Sequence, residues 1–231
     1  MDRRTFLKAV PAAAATVLAA AELAPSQTAE IKPIELVKPE MDGGKSVLAS
    51  LKVRQTNRNI KPEPLTPQEL SNLMWAAFGI NREQIRGGKS GRTAASASNS
   101  QEIDLYVALP EGVYVYDSAG HRLMPVAAGD FRARSNRRGA ATTAPVNIFY
   151  VVDLAKFASA PFQEPGLKDT DIQKSYYFVD TGLIAGNVYL FAASTGLAAW
   201  FHNCDKENTH KELKLRPEQR VLFAQTVGHP A

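Results

Sequence analysis

Between Asp180 and Leu197 the chain reads DTGLIAGNVYLFAASTGL, a long stretch whose one charged residue is its first. The run is too long for an ordinary strand. A helix that is apolar around most of its circumference must be covered by other elements. The stretch therefore predicts a central buried helix over Asp180–Leu197, with the rest of the chain wrapped around it. Strands are available for the wrapping. Ile103–Leu109 (IDLYVAL) and Gly112–Asp117 (GVYVYD) read as a hairpin turning at Pro110-Glu111. Asn147–Val152 (NIFYVV) is β-branched and aromatic, and Val221–Val227 (VLFAQTV) precedes the closing Gly228-His229-Pro230. A further helix starts at Thr66-Pro67-Gln68-Glu69, where Thr66 is an N-cap, Pro67 sits at the first helical position and Glu69 reaches back. Leu70, Leu73, Met74 and Ala77 follow at helical spacing, and Gly79 ends the run. Helices and strands mix without regular alternation, and no repeat or heptad is visible, so the fold class is α+β.

The N-terminus is of another kind. MDRRTFLKAV places Arg3-Arg4 before a short alanine-rich apolar stretch, Ala9–Ala21, which ends in small residues. This is the layout of a cleaved export signal, and Arg-Arg-Thr-Phe-Leu-Lys resembles the twin-arginine kind. The apolar stretch is shorter than the roughly 20 residues a bilayer span needs, so cleavage is expected to leave no stable membrane anchor. Residues 1–29 are read as the signal, 30–46 as a linker carrying Pro33 and Pro39, and 47–231 as one domain, periplasmic or otherwise exported. Cys204 is the sole cysteine, which rules out an intrachain disulfide. Net charge is +4, but the basic residues are scattered and form no aromatic-laced stripe, which points away from nucleic acid. A small phosphorylated ligand remains compatible.

Two stretches could meet such a ligand. Arg86 to Gln101 (RGGKSGRTAASASNSQ) is rich in glycine, cations and hydroxyls, yet Glu83 stands where a GxxxxGK phosphate loop needs its first glycine. Ser98-Asn99-Ser100-Gln101 presents amides and hydroxyls suited to a flat polar heterocycle or its sugar alcohol, and equally suited to any surface turn. Upstream, Val53-Arg54-Gln55-Thr56-Asn57-Arg58 spaces two guanidinium forks around a threonine.

Taken in order, these motifs resemble the FMN-dependent nitroreductase superfamily, and within it the SagB-type dehydrogenase branch. Arg54, Thr56 and Arg58 fit its R-x-S/T-x-R/K motif. Arg92-Thr93-Ala94-Ala95-Ser96-Ala97 before Ile103-Asp104-Leu105-Tyr106-Val107 fits the SagB-like loop and strand. Gly182, Asn187, Leu190, Ala192, Gly196 and Leu197 fit the helix pattern, and the ending VGHP also matches. The resemblance spans about residues 50 to 230. Glu102-Ile103 departs from the family's Pro-Trp.

The resemblance implies a nitroreductase-like fold, a central, mostly antiparallel sheet flanked by helices, with FMN at a homodimer interface. By position, Arg54, Thr56 and Arg58 hold the phosphate, ribityl chain and N1/O2 edge of FMN, with Arg92 or Lys89 as further phosphate candidates. Ser96, Ala97 and Asn99 approach the flavin of the partner subunit. Phe201, His202, Asn203 and Cys204 fall where the family aims backbone N–H groups at the N5/O4 edge. The implied chemistry is ping-pong hydride transfer between a small-molecule donor and acceptor, with no catalytic side chain and no metal.

Other features carry less. His202, Cys204, Asp205, Glu207 and His210 lack the spacing of a structural zinc site. Cys204 has only His202 near it in sequence as a base. Trp200 and Phe201 suit core or pocket wall, and His229 suits packing at the chain end. Arg132, Arg134, Arg137 and Arg138 suit a solvated helix face or an acidic docking partner. Two further functions stay open: a flavin-binding or structural module without turnover, and a SagB-like azoline oxidase acting on a modified peptide.

Overall fold

The computed structural model of the protein describes residues 30–85, 87–135 and 142–231; the expected signal, Arg86, Arg137 and Arg138 lie outside them. Its elements in chain order are β1 (Ile34–Glu35), α1 (Val47–Val53), α2 (Pro67–Phe78), β2 (Ile80–Arg82), β3 (Gly91–Arg92), β4 (Ile103–Leu109), β5 (Gly112–Asp117), β6 (Arg122–Ala128), α3 (Arg132–Ser135), β7 (Val146–Asp153), α4 (Thr170–Thr195), β8 (Ala198–His202), α5 (Lys206–Glu212) and β9 (Gln219–Gly228). Seven strands form one sheet in the order β1-β6-β5-β4-β7-β9-β8, and β2 pairs with β3 separately. Each pairing is antiparallel.

The strand period of two sorts the core into two layers. Ile103, Leu105, Val107 and Leu109 of β4, with Val146, Ile148, Tyr150 and Val152 of β7, face the main core under α2 and α4. Tyr106, Ala108, Phe149 and Val151 face a smaller core on the opposite side, closed by Leu213, Leu215 and Val221. All eight residues of β7 are therefore buried, which is why NIFYVV reads as an unbroken apolar run. The α2 capping box forms: Thr66 Oγ1 accepts from Glu69 N at 3.2 Å, and Thr66 N donates to Glu69 Oε2 at 2.8 Å.

The structure corrects two boundaries. Residues 30–46, expected as a linker, are part of the fold: β1 pairs Ile34 with Leu123, and Ile31, Ile34 and Leu36 pack on the main core. Ser71, fully buried, donates to Val37 O and contacts His121 Nε2 at 2.8 Å, while Tyr116 OH meets His121 Nδ1 at 2.9 Å. The prolines hid a spaced set of apolar anchors. The second correction concerns the long helix, which starts ten residues before Asp180. Asp169 caps it, accepting from Asp171 N and Ile172 N. Its first turns carry Asp171, Lys174 and tyrosines, so they lacked the apolar signature. It is not buried all round either. Tyr177, Ile184, Val188 and Ala192 face the core, while Val179 and Leu183 are 60% and 45% exposed. Leu48 on α1 is 79% exposed, with Val47, Leu51 and Val53 exposed beside it. Of the described helices, none is long and apolar enough to cross a membrane.

Candidate active site

Beyond α1 residues 54–60 pass the open edge of β8 without a helix or strand of their own. Asn57 N donates to Ala199 O at 3.0 Å. The other end is tied to the end of the chain. Ile60 bridges Pro230, Lys61 N donates to His229 O at 2.8 Å, and Ala231 N donates to Asn59 O at 3.0 Å. Gly228 permits this closeness, since a Cβ there would stand 2.7 Å from both Ile60 Cγ2 and Pro145 Cδ.

This segment lies against aromatic rings. The Arg54 guanidinium carbon is 5.3 Å from the centre of the Tyr189 ring, and that of Arg58 is 5.2 Å from Trp200. Such stacking holds a cation in place while leaving its N–H edge free for an anion. Tyr189 OH is 3.1 Å from Thr56 Oγ1 and accepts from Phe201 N at 2.8 Å, so one hydroxyl joins the segment, α4 and β8. Replacing Tyr189 by Phe is expected to lower stability by about 1 kcal/mol through these lost bonds, read as a shifted denaturant midpoint with an unchanged slope. Phe201 continues into a row of rings, 4.9 Å from Phe223, which lies 5.9 Å from Phe178. Beside the segment a cavity of about 250 Å³ opens between Lys45, Gln55, Asn57, Tyr189, Gly196 and Pro230.

His202 is buried, its Nε2 2.8 Å from Thr226 Oγ1 and its Nδ1 2.9 Å from Asn203 O. Burial holds its pKa below the usual value, and the Arg58 charge adds to that. Asn203 is exposed. Cys204 packs on the smaller core, where burial pushes its thiol up to about 12. A thiol that stays protonated is a poor nucleophile. Among the described residues no group of three or more His, Cys, Asp or Glu side chains is placed to hold a metal.

The second set of expected residues lies elsewhere. Ser96, Ala97 and Asn99 sit in a tight turn, with a 3₁₀ turn over Ala97–Asn99. Ser98, Asn99 and Gln101 take left-handed backbone angles, φ 52°, 52° and 54°. Asparagine tolerates that region and the others are strained in it. Ala97 N donates to Asp180 Oδ2 at 2.8 Å, Gln101 N to Ser96 Oγ at 3.0 Å, and Asn99 Nδ2 to Ser90 O at 3.3 Å. Asp180 and Tyr189 are nine residues apart on α4, which is about 13.5 Å along the axis. A single chain thus does not bring this turn to Arg54, Thr56 and Arg58.

Arg92, expected as a phosphate candidate, points inward. Its Nε donates to Gln101 Oε1 at 2.8 Å and its Nη1 to Phe78 O at 2.9 Å and to Ser118. The guanidinium also stacks 4.9 Å from the Phe78 ring centre. Lys89 donates to Ser100 O at 3.4 Å. Nor is the basic run a free face where it is described. Arg132 pairs with Asp130 at 2.7 Å and Arg134 with Glu212 at 2.5 Å. Sequence reasoning missed Tyr189 and Lys45 as neighbours of the arginine segment, and Phe223 behind Phe201. Tyr189 lay in the quoted helix motif, but nothing local marked the direction of its hydroxyl.

The sequence pattern of the Nitroreductase family matches residues 51–229, from the end of α1 to the end of β9. The chain belongs to the nitroreductase family. The fold is the nitroreductase fold, and the protein is a flavin-dependent oxidoreductase. A nitroreductase-type protein of Methanocaldococcus jannaschii is 25% identical over 181 residues, covering 76% of this chain and 86% of its own. The crystal structure of a nitroreductase-type protein from Ralstonia eutropha superposes with a TM-score of 0.76 at 29% identity, covering 87% of this chain and 90% of that one. The NADPH:FMN oxidoreductase of Vibrio harveyi, solved with NAD+, shares the fold at TM-score 0.55 and 19% identity, covering 80% of this chain and 68% of that one.

Proposed function

We propose that the protein is an exported FMN-dependent oxidoreductase that alternates between a small-molecule hydride donor and a small-molecule acceptor. The observation that carries this reading is the Arg54–Thr56–Arg58 segment, clamped between β8 and the chain end with both guanidinium groups backed by aromatic rings. The donor set fits the cofactor. Guanidinium forks suit a phosphate dianion, while Thr56, Gln55 and Asn57 suit a polyol. When bound, FMN supplies two-electron chemistry at N5. The protein would contribute position and field: Arg54 or Arg58 beside the N1/O2 edge would favour the anionic reduced ring, and the backbone of Asn203 and Cys204, which follows β8, would serve the N5/O4 edge.

The exposed apolar residues of α1 and α4 support a homodimer, in which a second copy covers them. Ser96, Ala97 and Asn99 then reach the partner's cofactor, across the gap the single chain leaves open. We place the protein in the SagB-type branch on its Arg92–Ala97 loop and Ile103–Val107 strand, and assign export to Arg3-Arg4 and the apolar stretch behind them.

Expressing residues 30–231 and recording the visible spectrum tests the reading. A yellow protein that releases near-stoichiometric FMN on heating is the expected result. A colourless protein whose thermal stability is unmoved by added FMN rules the reading out.

A further inference from the structure

Under the turn that carries Ser96, Ala97 and Asn99 lie two carboxyl groups. Glu102 is fully buried and Asp180 is 5% exposed. Ser100 Oγ donates to Glu102 Oε2 at 2.6 Å, and Ala97 N donates to Asp180 Oδ2 at 2.8 Å. Each carboxyl therefore holds one point of the same turn. Glu102 Oε1 is buried with no donor. Glu102 is also the foremost charged influence on Asp180, and no cation is among the groups acting on it. Two ionised carboxylates so placed repel each other and strand an acceptor. One proton shared between them supplies the missing donor and removes the repulsion.

The turn needs such a hold. Three non-glycine residues in left-handed conformations persist only where their surroundings over-determine them. The other charged groups around the turn act on different atoms. Lys89 meets Ser100 O at 3.4 Å, and Lys156 meets Gln101 O at 3.3 Å and also pairs with Asp104. Arg92 holds the Gln101 side chain, Glu164 accepts from Ser98 Oγ at 3.3 Å, and Tyr176 of α4 bonds Glu164. From β7, Asp153 donates its N–H to Glu102 O at 2.8 Å while its carboxylate pairs with Arg216.

We infer that Asp180 and Glu102 are positioning residues, a proton-sharing pair that sets the Ser96–Gln101 turn and so makes the flavin pocket it walls depend on pH. The inference rests on the proposed placement of that turn against a partner's FMN. Burial, and then the Glu102 charge, pushes Asp180 up from 3.8 to about 8. The folded chain thus keeps a proton that the unfolded chain releases. The contribution of protonated Asp180 to stability is full below about pH 4, declines as pH rises and is lost as pH passes about 8. Above that Asp180 carries a buried charge under the turn, and the turn loosens.

The test compares the wild type with Asp180→Asn and Glu102→Gln at pH 7 and 9.5. Each amide donates to the remaining carboxylate without needing the shared proton. In the wild type, the FMN dissociation constant, read by quenching of FMN fluorescence, is expected to rise about tenfold over this range. Both variants should stay nearly flat. Hydrogen exchange of residues 96–102, compared with the variants at each pH, should show extra opening at pH 9.5 in the wild type alone. Matching pH profiles in all three proteins overturn the inference. Should the wild type bind no FMN at either pH, the flavin assignment fails, and the exchange comparison still decides the pair. If one variant does not fold, the other serves.

Discussion

Arg54→Ala is expected to raise the FMN dissociation constant about 10- to 100-fold, the loss of charge-assisted hydrogen bonds of roughly 1.5–3 kcal/mol. Arg54 is exposed, and its described contact is the face of the Tyr189 ring. Its removal should therefore leave the melting temperature of the cofactor-free protein nearly unmoved, because surface changes of this kind stay within about 0.5 kcal/mol. Arg54→Lys should fall between, keeping the charge but losing the planar fork. Titrating FMN against the three proteins by fluorescence reads the ranking directly. An unchanged dissociation constant in Arg54→Ala would remove this residue from the cofactor site.

Arg92→Ala should do the opposite. Its guanidinium is mostly buried and serves Phe78 O, the Gln101 side chain and Ser118. Burial itself lowers its pKa, partly offset by the nearby Tyr116, Asp104 and Asp117. Truncation strands Phe78 O and Gln101 Oε1 without donors, at about 3 kcal/mol together. For a domain of this size that corresponds to roughly 6–12 °C in melting temperature. Below the transition the remaining folded protein should lose less FMN affinity than Arg54→Ala does, because Arg92 reaches the pocket only through the Gln101 side chain. A shift of under about 2 °C would show that the three bonds matter little. Arg54 and Arg92 thus separate along two measurements, although both are arginines in motifs that resemble one family.

That separation shows what the sequence could reveal. Signals closed within a few residues were legible: the Thr66–Glu69 box, the hairpin at Pro110-Glu111, and the unbroken apolar run of β7. Signals made by partners far apart were not. β1 depends on Leu123 for its pairing, and β8, rich in small residues after a helix, becomes a strand only because Thr226 and Ala224 lie beside it. β6 holds Pro125, which lowers strand propensity, yet it pairs with β5 on both sides of a register shift at Val126, next to the proline. In the site, Arg54, Thr56 and Arg58 were visible as a motif. The inward turn of Arg92 and the bond from Ala97 to Asp180, 83 positions away, exist only in the folded chain.

The pairing of Asn59–Lys61 with His229–Ala231 bears on the order of assembly. The arginine segment has no strand or helix of its own; it is held by β8 and by the last residues of the chain. Contacts of such long sequence separation form late, because the loop they close must first be organised by everything between its ends. During synthesis the segment is made early and waits unsupported until residues 229–231 arrive. Cofactor capture should then follow the pairing of these two distant stretches, so that a bound flavin reports on a contact made late in folding.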